Sequence, residues 1–209
     1  IIFDIDGTLW DVRDEIADSL TEGAHMAGHP EVNFTLENLS PIFGSPLPLV
    51  ADLLISHLPP EERYALMEKC GENQVTYVKK RTADKTYPGV ADVMAQLSKD
   101  YPLFIVSNCP TGYIPAFMER GHVTSYVRDY EEQGRTGLSK GENIKLIMER
   151  NHLCAPVYIG DTKGDEEAAA FAGIPFLWAS YGFGTVEDPA YMIKNFEEIP
   201  QKIAKIEAE

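Results

Sequence analysis

Ile1-Ile2-Phe3-Asp4-Ile5-Asp6-Gly7-Thr8-Leu9 opens the chain, and the fold turns on how this stretch is read. It begins as a short apolar run rich in β-branched residues, the pattern of a strand buried in a parallel sheet. The run breaks at Gly7, a residue that tolerates a sharp backbone turn. Asp4 and Asp6 therefore fall where the strand ends, and ligands of open α/β sheets bind outside the carboxyl ends of the strands. Two acids so close are not both ionised cheaply without a cation or a shared proton. The local chemistry asks for a hard metal, an acid/base pair, or both. Alone, Asp-x-Asp-Gly-Thr is also ordinary turn composition, so the rest of the chain has to decide.

Beyond Leu9 the pattern becomes helical. Ile16, Leu20, Ala24 and Ala27 recur near a helical period over 14–28, with acidic residues at the start where the helix dipole favours them. Thr35-Leu36-Glu37-Asn38-Leu39 reads as a helical turn and 46–58 as a second helix. Pro59-Pro60-Glu61-Glu62 opens a long amphipathic helix ending near Arg81. No strand is legible from 12 to 84. After Tyr87-Pro88-Gly89, helices and strands alternate. Helix 90–97 is followed by strand 101–106, ending at Ser107-Asn108. Helix 111–121 leads to a short strand at 125–128 and a loop at 134–137. A helix from Lys140, with Ile144, Ile147 and Met148 on one face, precedes strand 156–161. An Ala-rich helix, 166–172, and strand 174–178 come next, and the remainder reads as loop and a terminal helix.

Alternating strands and helices predict an α/β fold, a Rossmann-like parallel sheet with helices on both faces. The expected core is 1–11 and 85–209, and the expected insert is an all-helical cap at 12–84. There is no internal repeat and no low-complexity tract.

The formal charge is −15, from 33 acidic and 18 basic residues in 209. A field of that sign disfavours nucleic acid and anionic membrane surfaces as partners. It does not disfavour a small phosphorylated ligand, because a metal and one local Lys reverse the potential inside a pocket. Cys70, Cys109 and Cys154 are odd in number and lack zinc-type spacing, so they are expected to be reduced thiols of a cytoplasmic protein. No apolar run reaches membrane-spanning length. The chain opens within a strand and without Met, so residues are expected to precede Ile1, and cysteine usage speaks against a signal peptide.

Right-handed crossovers bring parallel strand ends to one edge of the sheet. That edge would carry Asp4 and Asp6, Ser107-Asn108, Lys140 and Gly160-Asp161-Thr162-Lys163-Gly164-Asp165. Each piece alone has a bland reading. Ser107-Asn108 is a turn, Lys140 a surface lysine, and Asp161 with Asp165 the acidic first turn of a helix. Together and in this order they resemble the haloacid dehalogenase superfamily, over essentially the whole chain. The helical insert is similar to the small-cap, phosphoglycolate phosphatase-like branch.

The resemblance implies a phosphatase in which Asp4 is the nucleophile and forms an aspartyl-phosphate. Asp6 would be the general acid, then the base. Mg²⁺ would be held by Asp4, the Asp6 backbone carbonyl and Asp161, with Asp165 in support. Thr8, Ser107, Asn108 and Lys140 would hold the phosphoryl oxygens, and Lys140 would also pair with Asp4. Asp6 favours phosphate over halide as leaving group, because halide needs no proton donor. The family's sugar-phosphate mutases carry a cap Arg shortly after a Gly, and Phe43-Gly44-Ser45-Pro46-Leu47 has none. A non-catalytic phosphate-binding regulator would be marked by loss of Asp4, Asp6 or Lys140, and an interaction module would work through the acidic surface. The expected partner is a small phosphorylated metabolite, the chain a monomer or homodimer. Trp10, Arg13, His25, Phe43 and Ser45 are the candidates for specificity in the cap. His25, His29 and His57 lie at no metal-ligand spacing. Tyr181 and Phe183 are expected to pack rather than touch substrate.

Overall fold

The computed structural model describes residues 1–208. The chain enters the sheet at β1 (Ile2–Phe3) and leaves it for helices α1 (Arg13–Met26), α2 (Leu36–Leu39), α3 (Leu47–Leu54) and α4 (Pro60–Lys80). It returns through α5 (Val90–Leu97), β2 (Leu103–Ser107), α6 (Tyr113–Arg120), β3 (Val127–Glu132) and a helical turn, α7 (Gln133–Thr136). Then come α8 (Lys140–Arg150), β4 (Tyr158–Gly160), α9 (Lys163–Ala172), β5 (Phe176–Ala179), β6 (Met192–Ile193) and α10 (Ile199–Glu207).

The six strands form one parallel sheet in the order β3-β2-β1-β4-β5-β6. The order reverses direction at β1 and β4, and the crevice above that switch is where such sheets bind ligands. Side chains alternate across β1 as the pleat requires. Phe3 and Ile5 join Leu103, Ile105, Ile159 and Leu177 in a core shared with α5, α6, α10 and the helical insert. Ile2 faces the other way, with Phe104, Val106 and Tyr158 against Ile144 and Ile147 of α8 and Ala168 and Ala169 of α9. Burial on both faces explains why these strands read as continuous apolar runs.

The insert is held by its own pairing of α1 with α4 and of α3 with α4. Thr35 caps α2 by accepting from Asn38 N, while the Asn38 side chain accepts from Thr35 N. Two backbone segments join the insert to the sheet. They run side by side through a Trp10–Thr86 bridge and hydrogen bonds from Tyr87 N to Leu9 O and Asp11 N to Lys85 O. Among the described residues no helix is long and apolar enough to cross a membrane.

Three sequence expectations need correction. The third strand lies at Val127–Glu132 rather than 125–128, because its Asp129, Glu131 and Glu132 find fixed partners and a charged stretch becomes an edge strand. Residues 133–136 form a helical turn instead of loop, with Gly134 N bonded to Cys109 O. Met192–Ile193 forms a sixth strand where loop was expected, at two residues too short to show alternation.

Candidate active site

Asp4 follows β1, and Asp161 follows β4, the neighbouring strand. Thr162 caps α9 through a capping box with Asp165, which turns the Asp165 carboxylate back toward the strand ends. Its Oδ2 accepts from the backbone N–H groups of Asp161 (3.1 Å) and Thr162 (2.9 Å). Lys140 is the first residue of α8, held there by a capping box between Ser139 and Glu142. A cation at a helix N-terminus opposes the dipole. It is offset by two carboxylates, Asp165 Oδ1 at 2.6 Å and Asp4 Oδ1 at 3.2 Å from Nζ. Oxygens of Asp4, Asp161 and Asp165 all lie within 4.8 Å of one another, and all three residues are buried.

One ammonium cannot balance three buried carboxylates. Burial, with Asp165 and Asp6 nearby, pushes the Asp4 carboxyl up to about 7 against the pull of Lys140. Burial, then Asp165 and Asp4, push Asp161 up to about 8. Burial works against the Lys140 charge, but Asp165 and Asp4 outweigh it and hold the ammonium above its ordinary range. Asp4 Oδ1 is buried and, despite its closeness to Lys140, makes no hydrogen bond. An orphaned hard oxygen beside two more carboxylates suits a divalent cation such as Mg²⁺, which takes oxygen ligands. Gly7 and Gly182 are what allow Asp161 its place. At Gly7 (φ +84°) an added Cβ would lie 2.2 Å from Asp161 Oδ2, and at Gly182 one would lie 2.2 Å from Asp161 Cβ.

Asp6 points elsewhere. Its Oδ1 accepts from Trp10 Nε1 (2.7 Å) and from the Tyr113 hydroxyl (2.8 Å). Burial raises the Asp6 carboxyl, and those two hydrogen bonds work against the rise. Thr8 Oγ1 donates to Asp161 Oδ1 (3.3 Å), and Phe183 N donates to Asp161 Oδ2 (2.7 Å). Ser107, at the end of β2, lines a cavity together with Asp4 and Asp6. Asn108 lines the same cavity, but its Nδ2 donates to Gly44 O (2.9 Å), tying the core to the insert.

Of the expected specificity residues, Phe43 and Ser45 line this cavity. Trp10 is fully buried behind Asp6, which it holds. Arg13 pairs with Asp11 and lies over the Phe183 ring, 4.5 Å from its centroid. His25 is exposed near the end of α1, because that helix turns Ile16, Leu20 and Ala24 inward and leaves His25 to solvent. Tyr181 packs as expected, donating to Thr8 O (2.8 Å), whereas the Phe183 backbone reaches Asp161. The glycine-punctuated stretch around Gly182 was the sequence signal for that approach. Tyr113 and Gln74 had none: one sits in an ordinary amphipathic helix, the other mid-way along α4.

The family model described as haloacid dehalogenase-like hydrolase matches residues 1–179. The phosphoglycolate phosphatase of Aliivibrio fischeri is 27% identical over 88% of this chain and 84% of that protein. A haloacid dehalogenase-like hydrolase of Streptococcus pneumoniae superposes with a TM-score of 0.80 at 20% identity, covering 97% of this chain and 96% of that one. A β-phosphoglucomutase of Clostridium difficile gives 0.75 at 15% identity, covering 100% and 98%. The fold is thus common to proteins of different activity, and side chains must distinguish among them.

Proposed function

The chain belongs to the haloacid dehalogenase-like hydrolases, and from that premise we propose that it is a Mg²⁺-dependent phosphatase of small phosphomonoesters, phosphoglycolate phosphatase-like, working through an aspartyl-phosphate. One observation carries the reading. Asp4 Oδ1 is buried without a hydrogen bond, beside Lys140 at the sheet's switch point, with Asp161 and Asp165 grouped around it.

Asp4, Asp161 and Asp165 would hold the cation, with the Asp6 backbone carbonyl, and bound there it would neutralise charge on the phosphoryl oxygens. Asp4 attacks phosphorus in line with the leaving oxygen, and the bond from phosphorus to that oxygen breaks as the Asp4–phosphorus bond forms. Asp6 gives its proton to the departing alkoxide. It then takes one from the water that attacks phosphorus, which releases phosphate and restores Asp4. Lys140, Thr8, Ser107 and Asn108 orient the phosphoryl oxygens. Residues 12–84 act as a cap that excludes bulk water while the aspartyl-phosphate exists. Reduced cysteines and an acidic surface fit a cytoplasmic enzyme acting on a soluble metabolite.

Release of p-nitrophenol from p-nitrophenyl phosphate tests the reading. Turnover is expected with Mg²⁺, is expected to vanish with EDTA, and is expected to fall on the order of 10³-fold or more in Asp4→Asn. Metal-independent turnover, or full activity in the variant, would refute it.

A further inference from the structure

We propose that Gln74 reads the leaving alcohol, and that the alcohol it selects is uncharged. The proposal deepens the phosphatase reading and rests on it. Among the described residues, two buried side-chain atoms have no hydrogen-bond partner: Asp4 Oδ1 and Gln74 Oε1. Both residues line one cavity, Asp4 on its floor at the sheet edge and Gln74 on α4 of the insert. Gln74 is 5% exposed, and its inward neighbours on α4, Cys70 and Val78, are apolar. An amide oxygen without a partner in such a place is costly, and leucine would fill the space without that cost. A ligand group that meets the amide removes the penalty.

The rest of the cavity says what that ligand is. Its walls away from Asp4 include Ile16, Leu20, Leu39, Leu47 and Val50. Asp4 and Asp6 are its charged residues, and no Lys, Arg or His lines it among the described residues. Lys140 lies behind Asp4, engaged by two carboxylates, and Arg13 is engaged by Asp11. A leaving group with a carboxylate would bury that charge beside hydrocarbon and neutral groups such as the Gln74 amide and the Ser45 hydroxyl, with no cation to balance it, an arrangement folded proteins avoid. The cavity offers about 50 Å³, so the alcohol is small. The selected class is a short phosphomonoester, mostly hydrocarbon beyond its ester oxygen, bearing one hydroxyl, carbonyl or amide for Gln74. Phosphoglycolate, the substrate in the relatives' name, carries a carboxylate at that end and is disfavoured.

Steady-state kcat/KM with Mg²⁺ on 2-hydroxyethyl phosphate, propyl phosphate and phosphoglycolate tests this. The hydroxyethyl ester is expected to lead phosphoglycolate by at least about tenfold, and to lead propyl phosphate by about tenfold for one neutral hydrogen bond. Gln74→Leu is expected to close most of the gap between hydroxyethyl and propyl esters, and Gln74→Lys to raise phosphoglycolate relative to both. Phosphoglycolate turned over as well as the hydroxyethyl ester would overturn the proposal. So would Gln74→Leu slowing all three esters by one factor, since the residue would then serve only the fold. If the leucine variant does not fold, the ranking of the three esters by the natural chain still decides. Those outcomes leave the phosphatase standing, whereas no phosphate released from any ester, p-nitrophenyl phosphate included, removes the phosphatase and this proposal together.

Discussion

The proton transfer proposed for Asp6 requires its carboxylate to be held in one orientation, and two donors from different parts of the chain do that. Trp10 Nε1 and the Tyr113 hydroxyl both donate to Oδ1, which leaves Oδ2 for the proton that the proposed mechanism moves. Tyr113 is itself fixed, fully buried and packed edge-on against Trp10 at 5.8 Å between ring centroids. Tyr113→Phe keeps the ring and removes one donor. It is expected to lower kcat about tenfold, one hydrogen bond's worth, while KM changes little. A KM that rises with kcat unchanged would place Tyr113 in substrate binding instead. Side-chain chemistry of this kind was only partly legible beforehand. Asp4, Asp6, Asp161 and Asp165 each also read as turn or helix-cap residues, and stand out only together, because such acids recur where apolar strands end. Lys140 joins them only through order along the chain. Tyr113 and Gln74 carry no such mark, since an aromatic or an amide at helical spacing looks the same whether it packs or points into a cavity.

Elements were legible where burial writes a pattern and obscure where charge replaces it. Strands β2 and β4 lie within the apolar runs of the sequence, while β3 reads Val127-Arg128-Asp129-Tyr130-Glu131-Glu132 and resembles loop. It survives as an edge strand because its charges are engaged, and charged side chains on an edge discourage pairing with other chains. Arg150 of α8 binds both Asp129 oxygens at 2.8 and 3.0 Å and Glu131 Oε2 at 2.9 Å. Burial works to raise the Asp129 carboxyl, but hydrogen bonds from Arg150 and Asn151 outweigh it and hold the group below its ordinary range. A carboxylate depressed in the folded state stabilises above its unfolded pKa of about 3.9 and loses that contribution as pH falls through the folded value. Arg150→Ala is therefore expected to cost about 1–2 kcal/mol at pH 7, and less below pH 3. Urea unfolding at the two pH values reads the difference, and an equal cost at both would mean the loss is packing.

At the scale of the whole molecule the question is how a helical insert stays aligned with a sheet it leaves and rejoins through two adjacent segments. At the mouth of the cleft Asn108 donates to Gly44 O, Phe43 meets Phe183 at 5.4 Å between centroids, Arg13 lies over the same Phe183 ring, and α4 packs on α6. At the base the two connecting segments pair with each other, and one buried side chain ties both of them to the core. Arg120 of α6 donates from Nη1 and Nη2 to Glu15 on the first turn of α1 (2.6 and 2.9 Å), and from Nε to Ala83 O on the returning segment (2.8 Å). Its guanidinium lies over the Trp10 ring at 5.3 Å, so both connecting segments meet the same group. This clamp adjoins the Trp10 that holds Asp6, so the joint between insert and sheet is tied directly to the site. The pair is buried, and removing one partner of such a pair strands a charge, whereas removing both together does not. Arg120→Met is thus expected to destabilise by about 3–5 kcal/mol, and Glu15→Gln added to it to recover part of that loss. Chemical denaturation of the two singles and the double gives the coupling. Strict additivity would mean that Glu15 and Arg120 act separately and that the connecting segments, rather than this clamp, set the alignment of insert and sheet.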